Sequence, residues 1–220
     1  MTKKTLQLLA SVALVAGMGF ASITTASADT STGTASTTGN VSLTAGETDP
    51  ENPGDAGGIT LKAVPFITVP ATEIDGTDQE IAATVDATAK SGDKAGKVQV
   101  VNAGHKSDWT VQVASTAFKS DADTMNASTL TMGTATVAPE ATDNTATLPS
   151  LVNSAISFNT GEDNANQDVV GATYDTDTKE GVGTFNTTYA GTKLNLKAGN
   201  VAGDYASTLT WTLTNTPSTN

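Results

Sequence analysis

The alternation of apolar and polar positions dominates the chain from about residue 59 onward. The most regular segment places Leu209, Trp211 and Leu213 at every second position, with threonines between them. Because successive residues of a strand point to opposite faces of the sheet, this segment predicts a strand with one apolar and one threonine face. The same period occurs at Ile59, Leu61 and Ala63, at Val98 and Val100, at Trp109, Val111 and Val113, at Leu130 and Met132, at Ile156 and Phe158, and at Leu194 and Leu196.

These segments predict an all-β fold. About seven or eight short strands, separated by Gly, Asn and Asp turns and lacking a β–α–β rhythm, are typical of an antiparallel β-sandwich or barrel-like domain. We place this single domain at residues 58–220. The alanines from Glu80 to Ala89 indicate at most one short helix.

The N-terminal part has a different composition. Residues 1–28 have two early lysines, an apolar run and an Ala-Ser-Ala ending, which together predict a cleaved signal peptide. Residues 29–57 are rich in Thr, Ser, Gly and acidic residues and poor in large apolar ones, so we expect a disordered linker. The chain is therefore expected to be secreted, with no membrane span in the mature form and no visible covalent anchor.

Composition excludes several kinds of function. The chain has 23 acidic and 11 basic residues, a formal charge of −12, one histidine and no cysteine. All the basic residues are lysines, so a nucleic-acid partner is not expected of this negative surface. Cysteine-based zinc sites, disulfides and cysteine nucleophiles cannot form. We predict neither a cofactor nor a metal, since acidic pairs such as Asp175 and Asp177 are typical of solvated turns.

Two tryptophans, the only ones in the chain, each begin a Trp-x-aliphatic triplet: Trp109-Thr110-Val111 and Trp211-Thr212-Leu213. Each indole is either a large core residue or an exposed platform for a sugar ring or a partner side chain. The spacing of the apolar positions alone favours a core position for both tryptophans. We expect Trp211 to be buried, because its strand alternates most regularly, and Trp109, beside a polar turn, to be the better candidate for a contact residue.

These motifs resemble the WxL domain of Gram-positive surface proteins. The segment Tyr205-Ala206-Ser207-Thr208-Leu209-Thr210-Trp211-Thr212-Leu213 matches the family's C-terminal motif, and Trp109-Thr110-Val111 matches its first motif with Val in place of Leu. Gly58-Ile59-Thr60-Leu61 and Gly181-Val182-Gly183-Thr184-Phe185 resemble two further segments of the family. The family's Asp-x-Arg element is absent, and Val100-Val101-Asn102-Ala103-Gly104 stands in its place.

The resemblance spans residues 58–217 and implies non-covalent attachment to the cell wall, with peptidoglycan or another wall polymer as the partner. It also implies action beside other wall-associated proteins of the same gene cluster. The candidate binding residues are Trp109, Val111, Tyr205, Trp211 and Leu213. The alternative is an adhesion or interaction protein that docks onto another exported protein or a host ligand. No set of residues indicates a catalytic site, so we do not expect an enzyme.

Overall fold

The structure is a computed structural model that describes residues 55–56, 58–86, 94–121 and 123–217. The predicted signal peptide and residues 29–54 of the predicted linker lie outside the described residues. The last residues of the predicted linker include a short strand, which pairs with the first strand of the domain.

The described residues form seventeen strands and no helix, which confirms the all-β prediction. The strands are β1 Asp55–Ala56, β2 Ile59–Thr68, β3 Gln79–Ala82, β4 Thr84–Asp86, β5 Lys94–Ala95, β6 Lys97–Asn102, β7 Ser107–Ser115, β8 Lys119–Ser120, β9 Asp123–Thr124, β10 Thr129–Thr131, β11 Thr134–Pro139, β12 Ser150–Leu151, β13 Ser157–Asn159, β14 Asn164–Ala172, β15 Gly183–Ala190, β16 Lys193–Leu196 and β17 Leu209–Pro217.

The short helix expected between Glu80 and Ala89 is not formed where the structure describes this segment. β3 and β4 occupy it up to Asp86, because pairing with β16 buries the side chain of Ile81 in the core. Alanine is a strong helix former, but helix propensities of ordinary residues differ by less than about 1 kcal/mol and tertiary packing overrides them. Nothing in the described ranges resembles a membrane-spanning helix.

The strands form three larger sheets and one two-stranded hairpin. The first sheet has the order β1-β2-β6-β15-β11, with β4 and β5 also paired to β2; the second is β13-β10-β16-β3 and the third is β12-β14-β7-β17. Pairing is antiparallel except between β2 and β5. None of the sheets built from the described residues closes on itself, so the barrel-like alternative is wrong and the antiparallel prediction holds.

The core combines apolar side chains from all three sheets. The first sheet contributes Ile59, Val98, Val100 and Phe185, the second Leu130, Phe158 and Leu194, and the third Trp109, Val111, Val113 and Val170. Most of these residues occupy the alternating positions seen in the sequence. Burial of one such side chain is worth about 1.5–3 kcal/mol, so the pairing register of each strand is fixed by its apolar face.

Candidate functional site

The two Trp-x-aliphatic triplets lie on neighbouring strands of the third sheet. β7 is a central strand of this sheet, between β14 and β17, whereas β17 is terminal. In the antiparallel register, Trp211 is opposite Val113 and Leu213 is opposite Val111. Residues directly opposite each other share one face of a sheet. The fold thus brings together four of the five candidate residues, although about a hundred positions separate the triplets.

The first triplet is part of the core. The Trp109 side chain is 2% exposed and Val111 is fully buried. The Trp109 Nε1–H donates a hydrogen bond to the backbone oxygen of Gly181 over 3.2 Å. A buried indole with a satisfied N–H supports the sheet and is not available to touch a polymer at the surface.

The second triplet is only half-buried. Trp211 and Leu213 pack against the core, but β17 has β7 as its one paired neighbour among the described strands, so part of each side chain faces solvent. The Trp211 Nε1 atom is buried and has no hydrogen-bond acceptor in the described part of the chain. An unsatisfied buried donor costs about 1–3 kcal/mol. The order of burial of the two tryptophans is the reverse of the expected one.

The opposite face of β17 and the residue before it carry the predicted row of threonines. Thr208, Thr210 and Thr214 are exposed and Thr212 is half-buried. Thr214 Oγ1 donates a hydrogen bond to the backbone oxygen of Thr110 over 3.2 Å. The terminal strand therefore presents hydroxyl groups on one face and two partly buried apolar side chains on the other. Both are neutral contacts, so their strength does not depend on the charge of the chain.

Tyr205 lies apart from the triplets, in the connection between β16 and β17. It is half-buried, and its hydroxyl donates to the backbone oxygen of Val201 over 3.2 Å. Its ring lines a cleft of about 540 Å³. We call this the apolar cleft; its walls are the segments 69–74 and 200–205. The sequence analysis did not identify it, because residues from distant loops meet only in the folded chain.

Acidic side chains of the chain's loops accept hydrogen bonds from backbone N–H groups. Asp175 Oδ1 accepts hydrogen bonds from the backbone N–H groups of Asp177 and Thr178 and from the Thr178 hydroxyl. Asp163 Oδ1 accepts a hydrogen bond over 2.8 Å from the backbone N–H of Ala117, which is distant in sequence. Within the described ranges, no three Asp, Glu, His or Cys side chains are grouped as metal ligands.

The turn at Asp175 predicts a loss of stability in acid. The hydrogen bonds from Thr178 and then from the N–H of Asp177 lower the pKa of the Asp175 carboxyl below its usual range. A lowered pKa stabilises the folded chain above the usual pKa, near pH 4, and this contribution disappears as the pH falls through the folded-state pKa.

We therefore expect Asp175→Asn to be less stable than the unchanged chain at about pH 5, and the difference to shrink toward about pH 2. The measurement is urea unfolding at both pH values. A difference that stayed constant across this range would show that ionisation of Asp175 does not contribute.

Comparison with known proteins adds one match. The family model described as WxL domain surface cell wall-binding matches residues 24–217 of the chain. The chain matches no curated protein and no solved structure. The matched range includes both Trp-x-aliphatic triplets and the whole of the third sheet.

Proposed function

Because the chain belongs to the WxL family of surface, cell-wall-binding domains, we propose that it attaches non-covalently to peptidoglycan through its terminal strand β17. Membership of the family itself establishes attachment at the cell surface in general terms. The proposal adds the polymer and the contact residues. The observation that carries it is the incomplete burial of Trp211 and Leu213 on a strand that ends its sheet.

The terminal strand offers the kinds of contact that a glycan or peptide polymer accepts. An accessible indole face stacks on the apolar face of a sugar ring or on an alkyl side chain. The Trp211 N–H lacks an acceptor in the described part of the chain, and a hydroxyl or carbonyl of the polymer would supply one after a small shift of the ring. The adjacent Trp109 and Val111 are proposed to position β17 rather than to touch the polymer.

The experiment is sedimentation of the purified secreted chain with peptidoglycan sacculi stripped of proteins and of secondary wall polymers. We expect the chain to sediment with the sacculi in the absence of any other protein. Sedimentation only after a second exported protein is added would replace the proposal with the docking alternative. Release of soluble fragments would indicate a hydrolase, and a folded chain that stays in the supernatant would overturn the proposal.

Salt dependence provides a second test of this function. After removal of the predicted signal peptide the chain has 9 lysines and 23 acidic residues, a formal charge of −14. Native walls carry anionic polymers that repel such a chain, and the Debye length shortens from about 10 Å at 0.1 M to about 3 Å at 1 M salt. Retention on native walls should therefore persist or increase as NaCl is raised. A steady loss of retention would show that ionic attraction holds the chain.

A further inference from the structure

The apolar cleft has the properties of a second binding site. Its lining includes apolar side chains from three parts of the chain: the buried Ile81, Met125, Leu194 and Leu196 and the partly buried Phe118. Its volume of about 540 Å³ lies within the range of about 300–1,000 Å³ that is typical of sites for small ligands and short segments. A cleft of this kind accepts a few side chains of a ligand and not a flat protein face.

The rim of the cleft exposes apolar surface. Ile74 is 38% exposed and Val201 is 53% exposed, and they lie on opposite walls. They are two of the five large apolar side chains exposed in the described part of the chain. Apolar side chains gathered around a cleft mark a binding surface more clearly than scattered ones do.

Hydrogen bonds hold both walls in place. In one wall, Asn200 Oδ1 accepts a hydrogen bond from the backbone N–H of Asn126 over 2.7 Å, and the Tyr205 hydroxyl donates to the backbone oxygen of Val201. In the other wall, Gln79 Nε2 donates to the backbone oxygen of Glu73 over 3.1 Å. A cleft formed before binding avoids much of the entropy cost of ordering loops around a ligand.

The charged side chains that line the cleft are Glu73 and Asp204, one from each wall. Both are exposed carboxylates that would repel phosphate-bearing or acidic ligands and attract ammonium and guanidinium groups. We propose that the apolar cleft binds a segment of a partner protein in which aliphatic side chains are flanked by lysine or arginine. This inference does not depend on the binding of β17 to peptidoglycan.

The test titrates the full secreted chain with three synthetic peptides by fluorescence anisotropy. The sequences are Lys-Leu-Leu-Lys, Glu-Leu-Leu-Glu and Lys-Ser-Ser-Lys, each with blocked termini. We expect the first to bind at least about tenfold more tightly than either of the others, because only it has both chemistries. Its binding should weaken as salt is raised, unlike retention on the wall. Equal binding of the three, or displacement by a chitin oligosaccharide, would overturn the proposal.

Variants of the full chain locate the binding. The double variant Glu73→Gln with Asp204→Asn and the single variant Val201→Ser should each weaken binding of Lys-Leu-Leu-Lys about tenfold. The matched controls are Asp143→Asn and Val152→Ser, which change exposed side chains outside the cleft, Val152 being 52% exposed. Controls that weaken binding as much as the cleft variants, or cleft variants without effect, would overturn the proposal. Retention on sacculi should not change in any of them, so the two proposals fail separately.

Discussion

Replacement of Trp109 by alanine is expected to lower the free energy of unfolding by about 3–5 kcal/mol. Trp109 is 2% exposed and lies on the central strand β7. The substitution removes the packing of the indole and its hydrogen bond to the backbone oxygen of Gly181. A domain of this size loses about 2–4 °C of melting temperature per kcal/mol, so a decrease of roughly 10 °C is expected. Thermal and urea unfolding followed by circular dichroism measure it.

The control for this prediction is Trp211→Ala. The Trp211 side chain is half-buried and its N–H has no acceptor in the described part of the chain, so less packing and no observed hydrogen bond are lost. We expect Trp211→Ala to be clearly more stable than Trp109→Ala. Equal losses of stability in the two variants would contradict the inference that Trp109 contributes more to the core than the partly buried Trp211.

Replacement of Gly181 by alanine is expected to destabilise the chain by roughly 3 kcal/mol or more. Gly181 has a φ of 71°, in the left-handed region that favours glycine. A Cβ atom there would lie 2.3 Å from the Ala172 Cβ and 2.7 Å from the Trp109 Nε1. Ala172 and the indole of the first triplet, which both pack directly against Gly181, thus require a glycine at this position.

Gly191→Ala is the matched control for the steric part of this effect. Gly191 has a φ of 76°, but an added Cβ meets no atom within 4 Å. Only the backbone strain of about 1–2 kcal/mol should remain in this variant. The free energies of unfolding of the two variants are compared in urea. A Gly181→Ala chain as stable as Gly191→Ala would show that the close contacts with Ala172 and Trp109 impose no constraint.

Strands that bury one face were predictable from the sequence. β7 alternates strictly between buried and half-buried residues over Ser107–Ser115, and this is the period that the apolar positions display. β14 was missed, although it pairs with β7 along the same sheet. Its register shifts twice, and residues 169–172 are all buried, so neither its pairing nor its burial follows a two-residue period.

The site was predictable in its residues but not in its exposure. Both triplets were identified from spacing, yet which indole faces solvent depends on the strand order β12-β14-β7-β17, which makes β7 central and β17 terminal. Strand order is a property of the folded sheet and leaves no mark in the period of either strand. The apolar cleft was not predictable for a related reason, since segments 69–74 and 200–205 meet only through the packing of the sheets.

The central claim is that the partly buried Trp211 and Leu213 of β17 hold the chain on the wall. Its most direct test is the sedimentation of the Trp211→Ala variant with sacculi stripped of proteins and secondary wall polymers. The control is Thr210→Ala, which changes the neighbouring exposed residue on the opposite face of the strand. With both variants shown to be folded, we predict at least about tenfold weaker retention for Trp211→Ala and unchanged retention for Thr210→Ala. Full retention of a folded Trp211→Ala chain would contradict the claim.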